Sequence, residues 1–188
     1  MNKQNNLKKI KYGIVILSCL CFMLLSATPS YADDTTPIPM PTATIDYKLP
    51  YPGLLPDNPL YFLKSFRDNM MSFFIGKPLD KADFMLLQSD KQVAASAMLV
   101  TQNKLPLATT TFAQGQEYFQ TAIEQTEAAH KQGVNTEEMA KKLADANRKH
   151  FQVLDQMNQH LSEAEKKKFQ EAREKENNFA KSVKALQY

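Results

Sequence analysis

Asp90, His150, Glu176 and His130 fall on what read as the apolar faces of helices, with Asn147 one turn ahead of His150. Asp90 sits among Leu86, Leu87, Val93, Ala94, Ala97 and Met98, and Glu176 between Phe169 and Val183. Carboxylates and imidazoles meeting inside a helical bundle are the donor set of a metal centre. Carboxylate-bridged di-metal bundles take a Glu from each of two helices and a Glu-x-x-His pair from each of two others. Asn147-x-x-His150 is the only approach to that pattern, asparagine brings no charge, and a second Glu-x-x-His is missing. A metal- or haem-binding bundle using His150 with Asp90 or Glu176 is therefore a secondary reading, and no metal or cofactor is expected. The leading reading is structural. Asp90 and Glu176 become shielded acids paired with a Lys, Tyr or His, because buried charges persist only with partners. A peptide- or ligand-binding groove is the remaining alternative.

Other chemistry finds little support. The five glycines, at 13, 53, 76, 115 and 133, form neither a phosphate-cradling loop nor a Gly-x-Ser-x-Gly turn, and no Ser/His/Asp set stands out. Both cysteines, Cys19 and Cys21, lie in the N-terminal stretch discussed below. The chain is expected not to be an enzyme.

The elements that must hold these residues are helices, and the fold class is all-α. Asp57-Asn58-Pro59 supplies a cap and a first-turn proline for a short helix to about Ile75, closed by Gly76-Lys77-Pro78. Four longer helices follow, over about Leu79–Asn103, Pro106–Gln132, from an Asn135 or Thr136 cap to about His160, and from Ser162 to about Leu186. Gly133 ends the third, and Ser162-x-x-Glu165 has the form of a capping box for the fifth. At about 100° per residue, Ala108, Phe112, Gly115, Phe119, Ala122, Ile123 and Thr126 share one stripe. Met139, Leu143, Ala146, His150, Leu154, Met157 and Leu161 make a second, and Phe169, Ala172, Phe179, Ala180, Val183 and Leu186 a third. This spacing predicts an antiparallel bundle over residues 54–188, in which Gly115 lets a neighbouring helix approach closely.

Residues 1–32 read as a secretory signal. Lys3, Lys8, Lys9 and Lys11 precede an apolar run from Ile14 to Ala27, and Ser30-Tyr31-Ala32 offers small residues for cleavage between Ala32 and Asp33. The run is short for a membrane-spanning helix, which needs about 20 apolar residues. An uncleaved segment would be the chain's only tie to a membrane. Ile16-Leu17-Ser18-Cys19 looks like a lipid-attachment box, yet the apolar run continues past Cys19. Cleavage would remove four lysines, no acid and both cysteines, turning a net charge of +3 into −1. A nearly neutral, thiol-free product gives no reason to expect nucleic-acid binding. Residues 33–53, with Pro37, Pro39, Pro41, Pro50 and Pro52, read as a Pro/Thr-rich linker.

Leu55-Pro56-Asp57-Asn58-Pro59-Leu60-Tyr61-Phe62-Leu63-Lys64 resembles the Leu-Pro-x-x-Pro-Leu-Tyr-x-Leu-Lys signature of a bacterial extracytoplasmic helical family of unknown function. Some members of that family are attached to anti-sigma-factor-like proteins. The resemblance runs over residues 54–130, through Lys81-Ala82 and Leu86-Leu87 to Asp90-Lys91. There Gln92 and Ala95 depart from the family's Asp-Lys-Arg-Leu-Ala-Glu. It implies fold and address, with no activity. Tyr61, Phe62, Leu63 and Phe66 read as an apolar docking plug, and Lys64 or the Tyr61 hydroxyl is the expected partner of Asp90. The function expected is that of an exported, non-catalytic interaction or structural module with an unidentified protein partner in the cell envelope. An envelope-stress or chaperone-like protein is the alternative, on the faint likeness of Leu161-Ser162-x-x-Glu165 to the Leu-Thr-x-x-Gln repeats of such proteins.

Overall fold

The computed structural model describes residues 46–159 and 161–186, all within one compact unit. The expected signal, its Ala32/Asp33 junction, residues 33–45 of the linker, His160 and the Glu165 side chain of the expected capping box lie outside them. Five helices make up the described residues, without strands: α1 (Tyr61–Phe74), α2 (Pro78–Thr101), α3 (Leu105–Lys131), α4 (Glu137–Asn158) and α5 (Glu163–Ala185). No helix among the described residues is long and apolar enough to cross a membrane.

Local chemistry sets the helix ends. Pro78 opens α2 within its first turn, where its missing N–H costs nothing. Asn103 closes that helix in the left-handed region at φ 58°, with the Lys104 N–H returning to the Leu99 carbonyl. Gly133, at φ 77°, ends α3 in the same way, with the Val134 N–H bonded to the Ala129 carbonyl. At the start of α4 the side-chain cap comes from Asn135, whose Oδ1 accepts the Glu137 N–H at 2.9 Å, and Thr136 makes no such bond.

The four longer helices form two antiparallel hairpins, α2–α3 and α4–α5. Across the hairpins the neighbours run parallel. Asp83, Asp90 and Ser96 of α2 meet Lys142, His150 and Met157 of α4 in that order. Phe112, Gln116 and Phe119 of α3 meet Phe169, Glu176 and Phe179 of α5. The expectation of an antiparallel bundle is thus corrected for the contacts between hairpins. The connection from α3 to α4 crosses the bundle's diagonal, leaving α2 beside α4 and α3 beside α5.

The core is split in two. One apolar cluster gathers around Leu86, Phe119, Ile123, Leu143 and Phe179, and the other around Val93, Leu99, Phe112, Leu154 and Phe169. A further correction concerns residues 46–53, expected as the end of the Pro/Thr-rich linker. Tyr47 packs against the first cluster, Leu49 against the second, and Pro52 is buried, so this strap belongs to the domain. Prolines forbid it helix or ladder bonds but leave its side chains free to pack. Ala180, expected on the inner stripe of α5, is exposed.

Candidate functional site

Between the two apolar clusters lies a layer of polar side chains drawn from all four long helices. Ser89, Asp90 and Gln92 come from α2, Gln116 from α3, Asn147 and His150 from α4, and Glu176 from α5, all buried. All but Gln92, which turns toward α1 and Gly115 of α3, face the middle of the bundle, so the helices had to dry these groups in order to close. Gly115 serves the same level. A Cβ there would stand 3.2 Å from Gln92 Cβ and 3.3 Å from the Ser89 carbonyl oxygen, so glycine lets α2 and α3 meet closely, as its place on the stripe implies.

Two separate hydrogen-bonded groups account for the two acids of the layer, and Ser89 Oγ and Gln92 Oε1 have no partner among the described residues. Asp90 accepts from the Tyr47 hydroxyl at 2.5 Å through Oδ2 and faces His150 Nε2 at 2.8 Å through Oδ1. A carboxylate only accepts, so Nε2 carries the proton, and in the neutral ring Nδ1 is the lone-pair nitrogen. Nδ1 has no hydrogen-bond partner among the described residues. The imidazole is held edge-to-face against Phe119, with centroids 5.2 Å apart. Burial and then the Asp90 carboxylate push the Tyr47 phenol well above its usual pKa, so it stays a donor. Glu176 accepts from Gln116 Nε2 at 3.0 Å and Asn147 Nδ2 at 2.7 Å. Burial raises the Glu176 pKa, and His150 and the two amides counter this in part.

The structure departs from the expected pairings. Neither Lys64 nor Tyr61 reaches Asp90. Lys64 Nζ donates to the carbonyls of Pro52 at 2.6 Å and Leu54 at 3.3 Å, while the Tyr61 hydroxyl accepts from Gln92 Nε2 at 2.7 Å. Residues two apart on a helix point about 200° apart, so a side chain that meets Gln92 cannot also meet Asp90. Glu176 is held by amides, and no Lys, Tyr or His of the described residues is bonded to it. His130 is exposed at the end of α3, near Thr136. Sequence reasoning missed Gln116 and Tyr47. Gln116 lies between Phe112 and Phe119 on the α3 stripe and was open to the periodicity argument, whereas nothing marked Tyr47 inside a proline-rich run.

A carboxylate flanked by an imidazole and a phenol can hold or pass a proton, but here Asp90 and His150 are buried and Tyr47 is partly buried above them. A groove of about 510 Å³ between α3 and α5, lined in part by Thr109, Phe112, Ala113 and Phe169, reaches the layer only at Gln116. Among the described residues no three His, Cys, Asp or Glu side chains gather as a metal would require.

The second unusual region is α1, whose polarity is reversed. Tyr61, Lys64, Ser65, Asp68 and Ser72, spaced by threes and fours, turn toward the protein, and Asp68 is the only buried residue of the helix. Arg67 closes over Asp68 Oδ1, with Nη2 at 2.7 Å and Nε at 3.0 Å. The opposite arc carries Phe62 (66 % exposed), Phe66 (64 %), Phe73 (84 %) and Phe74 (74 %), with Leu63 and Met70 between them. The expected plug is therefore corrected: of Tyr61, Phe62, Leu63 and Phe66, only Tyr61 faces inward. The polar face of α1 is matched to Gln92 and the strap, which leaves the aromatic residues no route to the core.

Residues 53–164, over half the chain, match the model of a family described as a domain of unknown function (DUF5667). The match carries past residues 54–130, through α4, and takes in the whole of α1. Neither the curated proteins nor the solved structures contain a match to the chain.

Proposed function

The chain belongs to the DUF5667 family, and we propose that it is an exported, non-catalytic helical domain that works by docking to a protein partner in the cell envelope. The observation that carries this reading is the outward aromatic face of α1. Four phenylalanines standing mostly in water exceed what a folded chain leaves exposed without use, since large apolar patches mark interaction sites. The rest of the molecule supports a scaffold role. The Asp90, His150 and Glu176 side chains of its polar layer are buried and bonded mainly to one another, to amides and to Tyr47, which favours register-holding over catalysis. The basic and apolar stretches of residues 1–32 and the small residues before Asp33 support export. The likeness of residues 55–64 to the signature of bacterial extracytoplasmic proteins, some of them attached to anti-sigma-factor-like proteins, points to the same address.

The test is fractionation of cells that make the protein, with a photo-crosslinking phenylalanine analogue at Phe73 or, as a buried control, at Phe119. The expected result is a chain outside the cytoplasm, beginning at Asp33, that crosslinks through Phe73 and not through Phe119. A chain kept in the cytoplasm with its N-terminus intact, or a Phe73 probe that captures nothing, refutes the reading.

A further inference from the structure

We infer that the aromatic face of α1 is covered by the same face of a second copy of this chain, the two helices lying antiparallel about a two-fold axis. This rests on the docking reading above and names its occupant. A fully covered phenylalanine contributes roughly 150–250 Å², so the four of α1, with Leu60, Leu63, Met70 and Met71 at about half exposure, present on the order of 800 Å². That is above the largest patch of a typical monomer and equals one partner's share of a standard interface, about 800 Å². Two such faces together reach the area a stable dimer needs.

The chemistry of the face selects its own kind. Phe and Met dominate it, no acid is exposed on α1, and its single exposed cation, Arg67, is already held by Asp68. This is the composition of an interface core, enriched in aromatic residues, Met and Arg and depleted in Lys, Glu and Asp. An antiparallel copy therefore sets apolar side chains against apolar side chains, with no unpaired charge brought face to face. Isologous two-fold pairing is also the commonest oligomeric arrangement. A lipid surface fits less well. Interfacial helices surround their apolar face with Lys and Arg and favour Trp, whereas Lys64 is turned onto backbone carbonyls and the chain contains no Trp.

Analytical ultracentrifugation of the purified protein decides the matter, run up to about 100 μM because interfaces of this size bind at micromolar concentration or tighter. The expected result is a species of two chains, reduced to one by the double substitution Phe66→Glu and Phe73→Glu with an unchanged helical circular-dichroism spectrum. Met70→Cys, near the middle of the face, should give a disulfide-linked pair under mild oxidation, and Gln120→Cys on exposed α3 should not. A wild-type chain that stays single throughout overturns the inference, as does a double variant that still dimerises. If the single chain instead sediments with phosphatidylglycerol vesicles and loses this on Phe66→Glu and Phe73→Glu, a lipid surface is the occupant and both readings fall. If it is single but Phe73 crosslinks to a different envelope protein, the docking reading stands and the second copy is wrong.

Discussion

The polar layer and α1 both reverse the usual distribution of side chains, and they do so in opposite senses. In the layer, acids and amides occupy the dry centre of the bundle, and most of their hydrogen-bonding atoms meet partners within the chain: Tyr47 and His150 for Asp90, Gln116 and Asn147 for Glu176. On α1, aromatic rings occupy the wet side and have no comparable cover, while Asp68 is tucked beneath. Dry polar groups are costly without partners, so the two carboxylates of the layer are bonded within the chain, while Ser89 Oγ, Gln92 Oε1 and His150 Nδ1 go without a partner among the described residues. Exposed apolar groups cost only their lost burial, so α1 can stay open until something covers it. The difference separates a device for holding the fold from a device for meeting a partner.

Breaking the layer should produce the largest effect. Asp90→Ala leaves the Tyr47 hydroxyl and the His150 N–H without their acceptor in a dry site. Unfolding by urea should show a loss of about 3–5 kcal/mol, as for removal of one partner from a buried pair. A loss below about 1 kcal/mol would mean that the layer contributes little to holding the helices together. Tyr47→Phe should cost less, about 1.5–3 kcal/mol, because it removes one hydrogen bond to a charged group and leaves Asp90 bonded to His150. Its particular signature is faster hydrogen exchange in residues 46–53, where the strap loses its anchor.

Glu176 provides a pH test of the same internal completeness. Its pKa in the folded protein is raised, so the native state holds the proton where the unfolded chain has lost it. Its stabilising contribution is present at acid pH and is lost as pH rises through the folded pKa. Above that pKa the charged carboxylate sits in a dry site at a cost that glutamine does not share. The stability of wild type relative to Glu176→Gln should therefore be higher at pH 5 than at pH 8, read from melting temperatures of the pair. An equal difference at both values would show that the carboxylate does not feel its burial.

Most of the fold was open to the periodicity argument, and most of the pairing was not. Five helices follow from stripes at threes and fours and from Pro78, Gly133 and Asn135 at their ends, within a few residues of the observed bounds. Asp90, His150 and Glu176 stand out because polar residues on a stripe must be buried, yet a stripe does not say which neighbour arrives. That depends on α2 lying beside α4, a choice made by the diagonal α3–α4 connection. Tyr47 escaped notice because prolines advertise an extended chain without saying whether it is packed. On α1 the pattern was legible, but its direction was not. Amphipathicity shows that a helix has two faces, and only the match of Tyr61 to Gln92 and of Lys64 to the strap carbonyls shows which one turns inward.

The smallest expected effect is the sharpest test of that direction. Phe73→Ala should change the stability of the single chain by no more than about 0.5 kcal/mol, since surface substitutions away from special features rarely do more. Phe119→Ala, at a ring fully enclosed beside His150, should by contrast cost about 3–5 kcal/mol. The measurement belongs at a concentration too low for association, where a second copy adds nothing to the unfolding free energy. A loss at Phe73 approaching that at Phe119 would mean that the chain covers α1 itself, and the contrast between the two regions would disappear. A null effect at low concentration that becomes destabilising at high concentration would place the missing contacts on the outside of α1, where only another molecule can supply them.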